Sequence, residues 1–252
     1  MNILVCIKQV ADMEAKFKIR GDGKWFEDAD IAFKMNEYDE YAVEEAVRLR
    51  EKIADSNLIV LSIGAERVKE AIKKALAMGC DKGVHLVYEN EEMLDSYAKA
   101  YAIYEYAKDK KFDLIFTGMQ SQDKGSAQVG VILGELLGIP SVTTIVGFEY
   151  NNGEITVKRE LEGGKKAIVS VKTPAVLTCQ LGLNEPRYPT LPNIMKAKKK
   201  EIETLPLSNP QNLSEIEKVY YPEKKGGAVI LEGDVKDLAQ KVAAYLKEKV
   251  GI

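Results

Sequence analysis

Residues 118–130 (GMQSQDKGSAQVG) bring together the residue types that hold a phosphorylated ligand. Gly118 and Gly125 let backbone N–H groups come close to a bound group. Ser126 can cap a helix or bind a phosphate oxygen. The helix start beyond it offers free N–H donors and the positive end of the helix dipole. Gln120, Asp123 and Gln128 add side-chain hydrogen bonding, with Met119, Ser121, Gln122, Lys124, Ala127 and Val129 between them. The string is neither GxxxxGK[ST] nor GxGxxG. On its residues alone it is either a nucleotide loop or an ordinary capped loop of an α/β fold. Acid, base and nucleophile chemistry has little to build on. The one histidine, His85, lies in a strand-like run and reads as structural. Cys6, Cys80 and Cys179 are scattered and odd in number, which fits neither a disulfide framework nor a metal pattern. Without a His/Cys/carboxylate cluster, metal catalysis and Ser/His/Asp chemistry lose most of their support.

A second segment suggests recognition. Residues 181–200 (LGLNEPRYPTLPNIMKAKKK) contain Pro186, Pro189 and Pro192, which block a long helix or a central strand. Tyr188, Leu191, Ile194 and Met195 are apolar, yet Lys196, Lys198, Lys199 and Lys200 follow at once. A proline-stiffened loop with apolar anchors in a basic rim is more often a docking surface than a buried one. The lysine run is a solvated helix face or a complement to an acidic protein surface, more than a site for nucleic acid or an anionic membrane.

The elements that must position these residues alternate. Residues 2–8, 58–63, 83–88 and 113–117 are short apolar runs of strand length; 36–54, 66–78, 92–110 and 126–138 have helical character. Asn36 is placed to N-cap the first helix ahead of Glu37, Asp39 and Glu40. Such alternation predicts an α/β fold, a Rossmann-like, mostly parallel sheet covered on both faces. Ligands then sit beyond the carboxyl ends of the strands, on the rim formed by the loops after residues 8, 63 and 117. After Pro140 the pattern changes. Residues 142–150 and 154–160 flank Asn151, Asn152 and Gly153, a hairpin signal. Two further strands, 166–171 and 175–179, are expected to extend the sheet in antiparallel fashion. Residues 201–225 read as an extended arm. An amphipathic helix at 234–249 presents Val235, Leu238, Val242, Tyr245 and Leu246 on one face. That helix packs on a partner subunit or on its own domain, with even weight. The expected division is a nucleotide-binding domain over 1–200 and an arm with terminal helix over 201–252.

Composition narrows the class. The chain has 252 residues, 46% of them hydrophobic, enough for one sizeable core with an arm. Its 36 basic and 39 acidic residues leave a net charge of −3, which gives no general reason to expect nucleic acid. It has no apolar run of about 18 residues, so no membrane span is expected. The first residues open a strand and do not look like a signal peptide. A reducing cytoplasm is the expected location.

Motifs spread over nearly the whole chain resemble the electron transfer flavoprotein β-subunit family. They are ILVCIKQ at 3–9, MNEYD and AVEEA within 35–46, ALAMG at 75–79, VKRELEGG at 157–164, TPAVLT at 173–178, NEPRY at 184–188 and LPNIMKA at 191–197. The loop at 118–129 also resembles the family's Gly-x-Gln-x-x-Asp loop. The resemblance implies AMP in this chain, held by Cys6, Asn36, Glu37, Tyr38, Asp39, Ile63 and residues 118–129. It implies an α subunit that holds most of the FAD site. Partners would be acyl-CoA or other flavin dehydrogenases and a terminal quinone-linked acceptor. Tyr188, Leu191, Pro192, Ile194 and Met195 would dock the dehydrogenase, with Leu191 as anchor. Glu160 would pair with an arginine of the swinging flavin domain; otherwise it is a solvated hairpin charge. The chain itself would then be a carrier subunit with no acid, base or nucleophile of its own.

One branch of the family bifurcates electrons from NADH and places a second FAD where AMP otherwise sits. Met119, and Lys124 to Ser126, depart from that branch's loop, whereas residues 127–130 resemble it, so AMP is favoured and two FAD is the alternative. A stand-alone nucleotide hydrolase or ligase would need a pyrophosphate loop and an acid/base or metal set. A small regulatory nucleotide sensor would explain residues 1–140 but neither the hairpin nor the docking loop.

Overall fold

The computed structural model describes residues 1–151, 153–208, 210–223 and 226–251, without the side chain of Val250. Asn152, in the middle of the hairpin signal, lies outside the described residues, as do Lys224 and Lys225 of the expected arm. The chain forms two compact units, 1–219 and 220–252. In order, the first unit contains β1 (Asn2–Ile7), β2 (Gln9–Ala11), β3 (Phe33–Met35), α1 (Glu37–Lys52), β4 (Asn57–Gly64), α2 (Lys69–Met78), β5 (Lys82–Val87) and α3 (Ser96–Ala107). It continues with β6 (Leu114–Gly118), α4 (Val129–Leu137), β7 (Ser141–Asn151), β8 (Glu154–Glu160), β9 (Lys166–Val171), β10 (Ala175–Cys179), α5 (Leu191–Ala197) and β11 (Ile202–Pro206). The second unit carries α6 (Val235–Val250).

Nine strands form one sheet in the order β11-β5-β4-β1-β6-β10-β7-β8-β9. The neighbours from β11 to β7 run parallel, and β8 and β9 continue antiparallel. The α/β architecture expected from the alternation is therefore present. The central strands are buried on both faces because their sequences are nearly unbroken apolar runs. On one face Ala42, Val43, Ala46 and Val47 of α1 pack with Ile72, Ala75 and Leu76 of α2. On the other, Ala98, Ala102 and Ile103 of α3 pack with Leu133 of α4. The strand order reverses around β1. Cys6 lies level with Leu61 of β4 and Thr117 of β6, so the three carboxyl ends meet at one rim.

Several expectations need correction. β10 is not an antiparallel extension. All five of its residues are buried, and it runs parallel between β6 and β7 in the middle of the sheet. Residues 201–225 are not arm throughout, because β11 joins the sheet beside β5. Pro206 is tolerated there because an edge strand leaves one side of its backbone unpaired. The helix expected over 92–110 starts at Ser96, where Asp95 accepts a hydrogen bond from the Ala98 N–H at 2.8 Å and fixes the N-terminus. The helix expected from 126 starts at Val129, so Ser126 does not cap it. Residues 181–200 are more than a loop: α5 is a short helix capped by Thr190, with Pro192 in its first turn. The antiparallel pair β2–β3 had no sequence signal strong enough to be read. In the second unit, Asp234 caps α6 by accepting from the N–H groups of Lys236 and Asp237.

One side chain joins three elements at the rim. Asp39, in the first turn of α1, accepts from Lys8 N–H at 2.6 Å and from Gly118 N–H at 3.0 Å, one with each oxygen. These N–H groups lie at the carboxyl ends of β1 and β6. Gly118 is required for the approach: a Cβ there would collide with Asp39 Oδ1 and come within 2.8 Å of Tyr38 Cβ. Burial pushes the Asp39 carboxyl up to about 7, against the pull of these donors and Asn36. An asparagine would turn its NH2 toward one of the two N–H groups. At pH 8, Asp39→Asn is expected to destabilise the chain by about 1–3 kcal/mol, the cost of one unsatisfied buried donor. Urea unfolding checks this, and an unchanged midpoint would show that Asp39 is not a strut.

Candidate functional site

A cavity opens beyond the carboxyl ends of β1, β4 and β6, at the reversal of strand order where α/β sheets hold ligands. Its floor is apolar, with Leu61, Ile63, Ile103 and Cys6. The Cys6 thiol is held protonated by burial, with Asp39 adding to the effect. Its wall is the segment between β6 and α4. Ser121, Lys124, Ser126, Ala127 and Gln128 line it, together with Met119, Gln120 and Val129.

The segment is tied down at several points. Asn36 uses its side chain twice: Nδ2 donates to Gln120 O at 2.9 Å, and Oδ1 accepts from Gln122 N–H at 3.0 Å. The residue read as a helix cap is therefore a clamp on the loop; it stands at the cap position without a side-chain bond to the helix. Gln120 Nε2 donates to Tyr38 Oη at 3.0 Å, and Gln122 Nε2 to Glu37 at 2.9 Å. Gly125 turns with φ 59° while its N–H donates to Ser121 O at 2.8 Å. Ala127 also sits at positive φ, 53°, which costs a residue with a Cβ and marks a held conformation.

Three lysines line or border this space. Lys8, the residue after β1, donates from Nζ to Asp123 at 2.5–2.6 Å and to Ser121 Oγ at 3.3 Å. Burial alone would raise the Asp123 carboxyl, but the charge and hydrogen bond of Lys8 outweigh it and hold Asp123 below its ordinary value. Lys124 donates to the carbonyls of Glu92 and Leu94 and lies over the Trp25 ring. Burial lowers its pKa, and Lys8 pushes the same way. Lys99 of α3 is the third. Glu91 also borders the space. Arg67 pairs with its Oε1, and its Oε2 is buried without a partner in the protein.

Sequence reasoning thus found most of the wall. Cys6, Asn36, Asp39, Ile63, Gly118, Met119, Gln120, Ser121, Lys124, Ser126, Ala127, Gln128 and Val129 all border the cavity. Glu37, Tyr38, Gln122 and Gly125 shape the loop from outside it. Asp123 braces Lys8 and faces an adjoining groove. Ile7, Lys8, Leu61, Glu91, Ser96, Lys99, Ile103, Thr117 and Gly130 were missed. Lys8 was findable as a cation directly after the first strand, and Lys99 as the lone charge in the stretch YAKAYAIY. His85 is fully buried in β5 with Nε2 on Gly64 O, away from the cavity lining.

The segment expected to dock a partner is a second, separate surface. Asn184 donates to Tyr41 O and Glu45, and Arg187 forks onto Glu44 and Glu51 of α1 at 2.6–3.2 Å. Burial raises the Glu44 carboxyl, but Arg187 and Arg48 outweigh it and hold it below its ordinary value. At the other end Lys200 donates to the carbonyl of Leu76 in the last turn of α2 and to that of Cys80 just beyond it. Between these anchors Tyr188 is 94%, Leu191 79% and Met195 60% exposed. Pro192 and Ile194 are exposed beside them. Glu160, at the end of β8, accepts from Gln180 Nε2 at 3.2 Å on an exposed rim. Among the described residues no helix is long and apolar enough to cross a membrane.

Comparison with known proteins identifies the family. Residues 24–210 match the family described as electron transfer flavoprotein domain. The chain is 38% identical over 261 residues to the electron transfer flavoprotein subunit beta of Bacillus subtilis (strain 168), covering all of both chains. It is 36% identical over 252 residues to the subunit of the same name from Syntrophomonas wolfei, covering all of this chain and 98% of that one. Against the Mus musculus subunit beta it is 39% identical over 207 residues, 81% of each chain. Matches of this extent place the chain in the electron transfer flavoprotein subunit beta family.

Proposed function

We propose that the chain is the β subunit of a two-subunit electron carrier, binding AMP in the rim cavity and docking flavin dehydrogenases through residues 188–195. FAD, held mainly by the α subunit, supplies the redox centre; this chain supplies nucleotide binding and docking surfaces. The observation that carries the reading is the docking segment. Three large apolar side chains, Tyr188, Leu191 and Met195, are held out to solvent on backbone locked to α1 and α2 at both ends. Burying such groups at a partner is favourable, and their prior fixation lowers the ordering cost of binding. The exposed position of Glu160 suits pairing with an arginine of the flavin-carrying domain. The working partners in this reading are acyl-CoA or other flavin dehydrogenases and a quinone-linked acceptor, in the cytoplasm.

The cavity suits an adenine nucleotide in kind. Leu61, Ile63 and Ile103 offer an apolar bed for a base, and Lys99, Ser121 and Ser126 offer partners for phosphate. A second reading, FAD in place of AMP with NADH as donor, draws support from the adjoining groove. That groove meets the cavity at Ser96, Lys124 and Ser126 and continues past Trp25, Tyr97 and Ile216, which gives a larger nucleotide somewhere to extend.

Three measurements test the proposal. The chain co-produced with its α subunit, denatured and analysed by chromatography, is expected to release one AMP and one FAD. Two FAD without AMP would establish the bifurcating alternative, and no adenine nucleotide beyond the α-subunit flavin would overturn the cavity's role. Asp123→Ala frees Lys8 and loosens the loop, so it is expected to lower nucleotide content and yield of assembled complex; full occupancy would argue against the pocket. Leu191→Ala removes an exposed side chain and is expected to leave stability within about 0.5 kcal/mol. It is expected to slow reduction by a dehydrogenase in stopped-flow while flavin content stays constant. Unaltered kinetics would remove the docking role.

A further inference from the structure

Lys99 is the cation in the cavity whose presence the fold does not explain. It sits on the inner side of α3, where Ala98, Ala102 and Ile103 fill the core and an apolar residue would serve as well. The other two lysines are committed: Lys8 to Asp123 and Ser121, Lys124 to two carbonyls. Of the carboxylates, Asp123 is committed to Lys8, and Glu91 pairs with Arg67 through Oε1 while its Oε2 has no hydrogen-bond partner. Among the described residues the Lys99 ammonium has neither a hydrogen bond nor an ion pair, although it borders the cavity with Ser121 and Ser126. Lys99 is half-buried, and a partly desolvated cation with no bonded counter-charge is disfavoured unless something else supplies one.

We propose that Lys99 reads the anionic group of the cavity's ligand, its ammonium meeting the phosphate of the bound adenine nucleotide. The inference rests on the nucleotide reading above and adds the residue that distinguishes a nucleotide from its nucleoside. It carries a signature in protons. Burial lowers the proton affinity of Lys99 in the empty cavity, and Lys8 and Lys124 push the same way, while Asp123 and Glu91 oppose them. A phosphate beside the amine reverses the balance. Wherever the solution pH lies between the lowered value and the restored one, nucleotide entry draws a proton from solvent onto Nζ.

The test is titration calorimetry of the full-length, nucleotide-free chain with AMP and with adenosine, in buffers of different ionisation enthalpy. The wild type is expected to bind AMP more tightly than adenosine and to take up protons with AMP only. Lys99→Met is expected to weaken AMP by about tenfold to a hundredfold, as for one charged hydrogen bond, to leave adenosine binding unchanged and to abolish proton uptake. Lys99→Arg, charged at every accessible pH, is expected to recover much of the AMP affinity without proton uptake. Melting of the ligand-free variants at or above the wild-type temperature separates these effects from misfolding. Equal binding of AMP and adenosine by the wild type, or equal AMP affinity and proton uptake in Lys99→Met, would overturn the role of Lys99 and leave the nucleotide reading standing. Binding of neither probe by the wild type would overturn the nucleotide reading and the proposal with it.

Discussion

Two backbone N–H groups at the carboxyl ends of β1 and β6 point out of the sheet where the parallel ladder runs out, and Asp39 takes both. That interaction fixes the first turn of α1 against two strands at once. The same turn carries Asn36, Glu37 and Tyr38, each of which holds a residue of the segment after β6. A displacement of Asp39 would therefore reach the loop, the cavity wall and the start of α1 together. The carboxylate tolerates its burial because one donor faces each oxygen, and Gly118 leaves it the room to approach.

The electrostatics of the cavity follow from this arrangement. With β1 and β6 drawn together, Lys8 and Asp123 face one another and neutralise locally. Lys124 is turned away toward the carbonyls of Glu92 and Leu94. What remains inside is the Lys99 amine on α3, over an apolar bed formed by strand ends. A cavity of that kind favours an anion with a flat apolar portion, and the ends of strands at a reversal of order are where such cavities form.

Much of this was legible in the chain because the central strands are continuous apolar runs and the helices between them end in turn residues. The runs at 58–63 and 113–117 marked β4 and β6 almost to the residue, and the glycines around 118–130 marked the loop. β10 was harder. Its five buried residues follow a hairpin, so local order suggested continuation of the antiparallel pattern, whereas burial between α1 and α4 places it at the centre. β11 carries a proline and mixed polarity, and only its pairing with β5 makes it a strand. Asn36 was read from a local rule about helix starts, while its partners, Gln120 and Gln122, are more than eighty positions away. Lys8 and Lys99 were passed over for the same reason. A lone lysine has no pattern of its own, and its role is set by what the fold brings next to it.

The sheet is closed unequally at its two ends. At one end β11 finishes on Pro206. At the other, β9 has no proline and no strand beside its outer edge among the described residues, and Ile168 on it is 64% exposed. An open edge of this sort accepts any passing strand, including one from another copy. Lys165 and Lys166 stand at its entrance and Lys172 at its exit, all exposed. Like charges brought side by side repel, so these three side chains oppose edge-to-edge pairing of two copies at this strand.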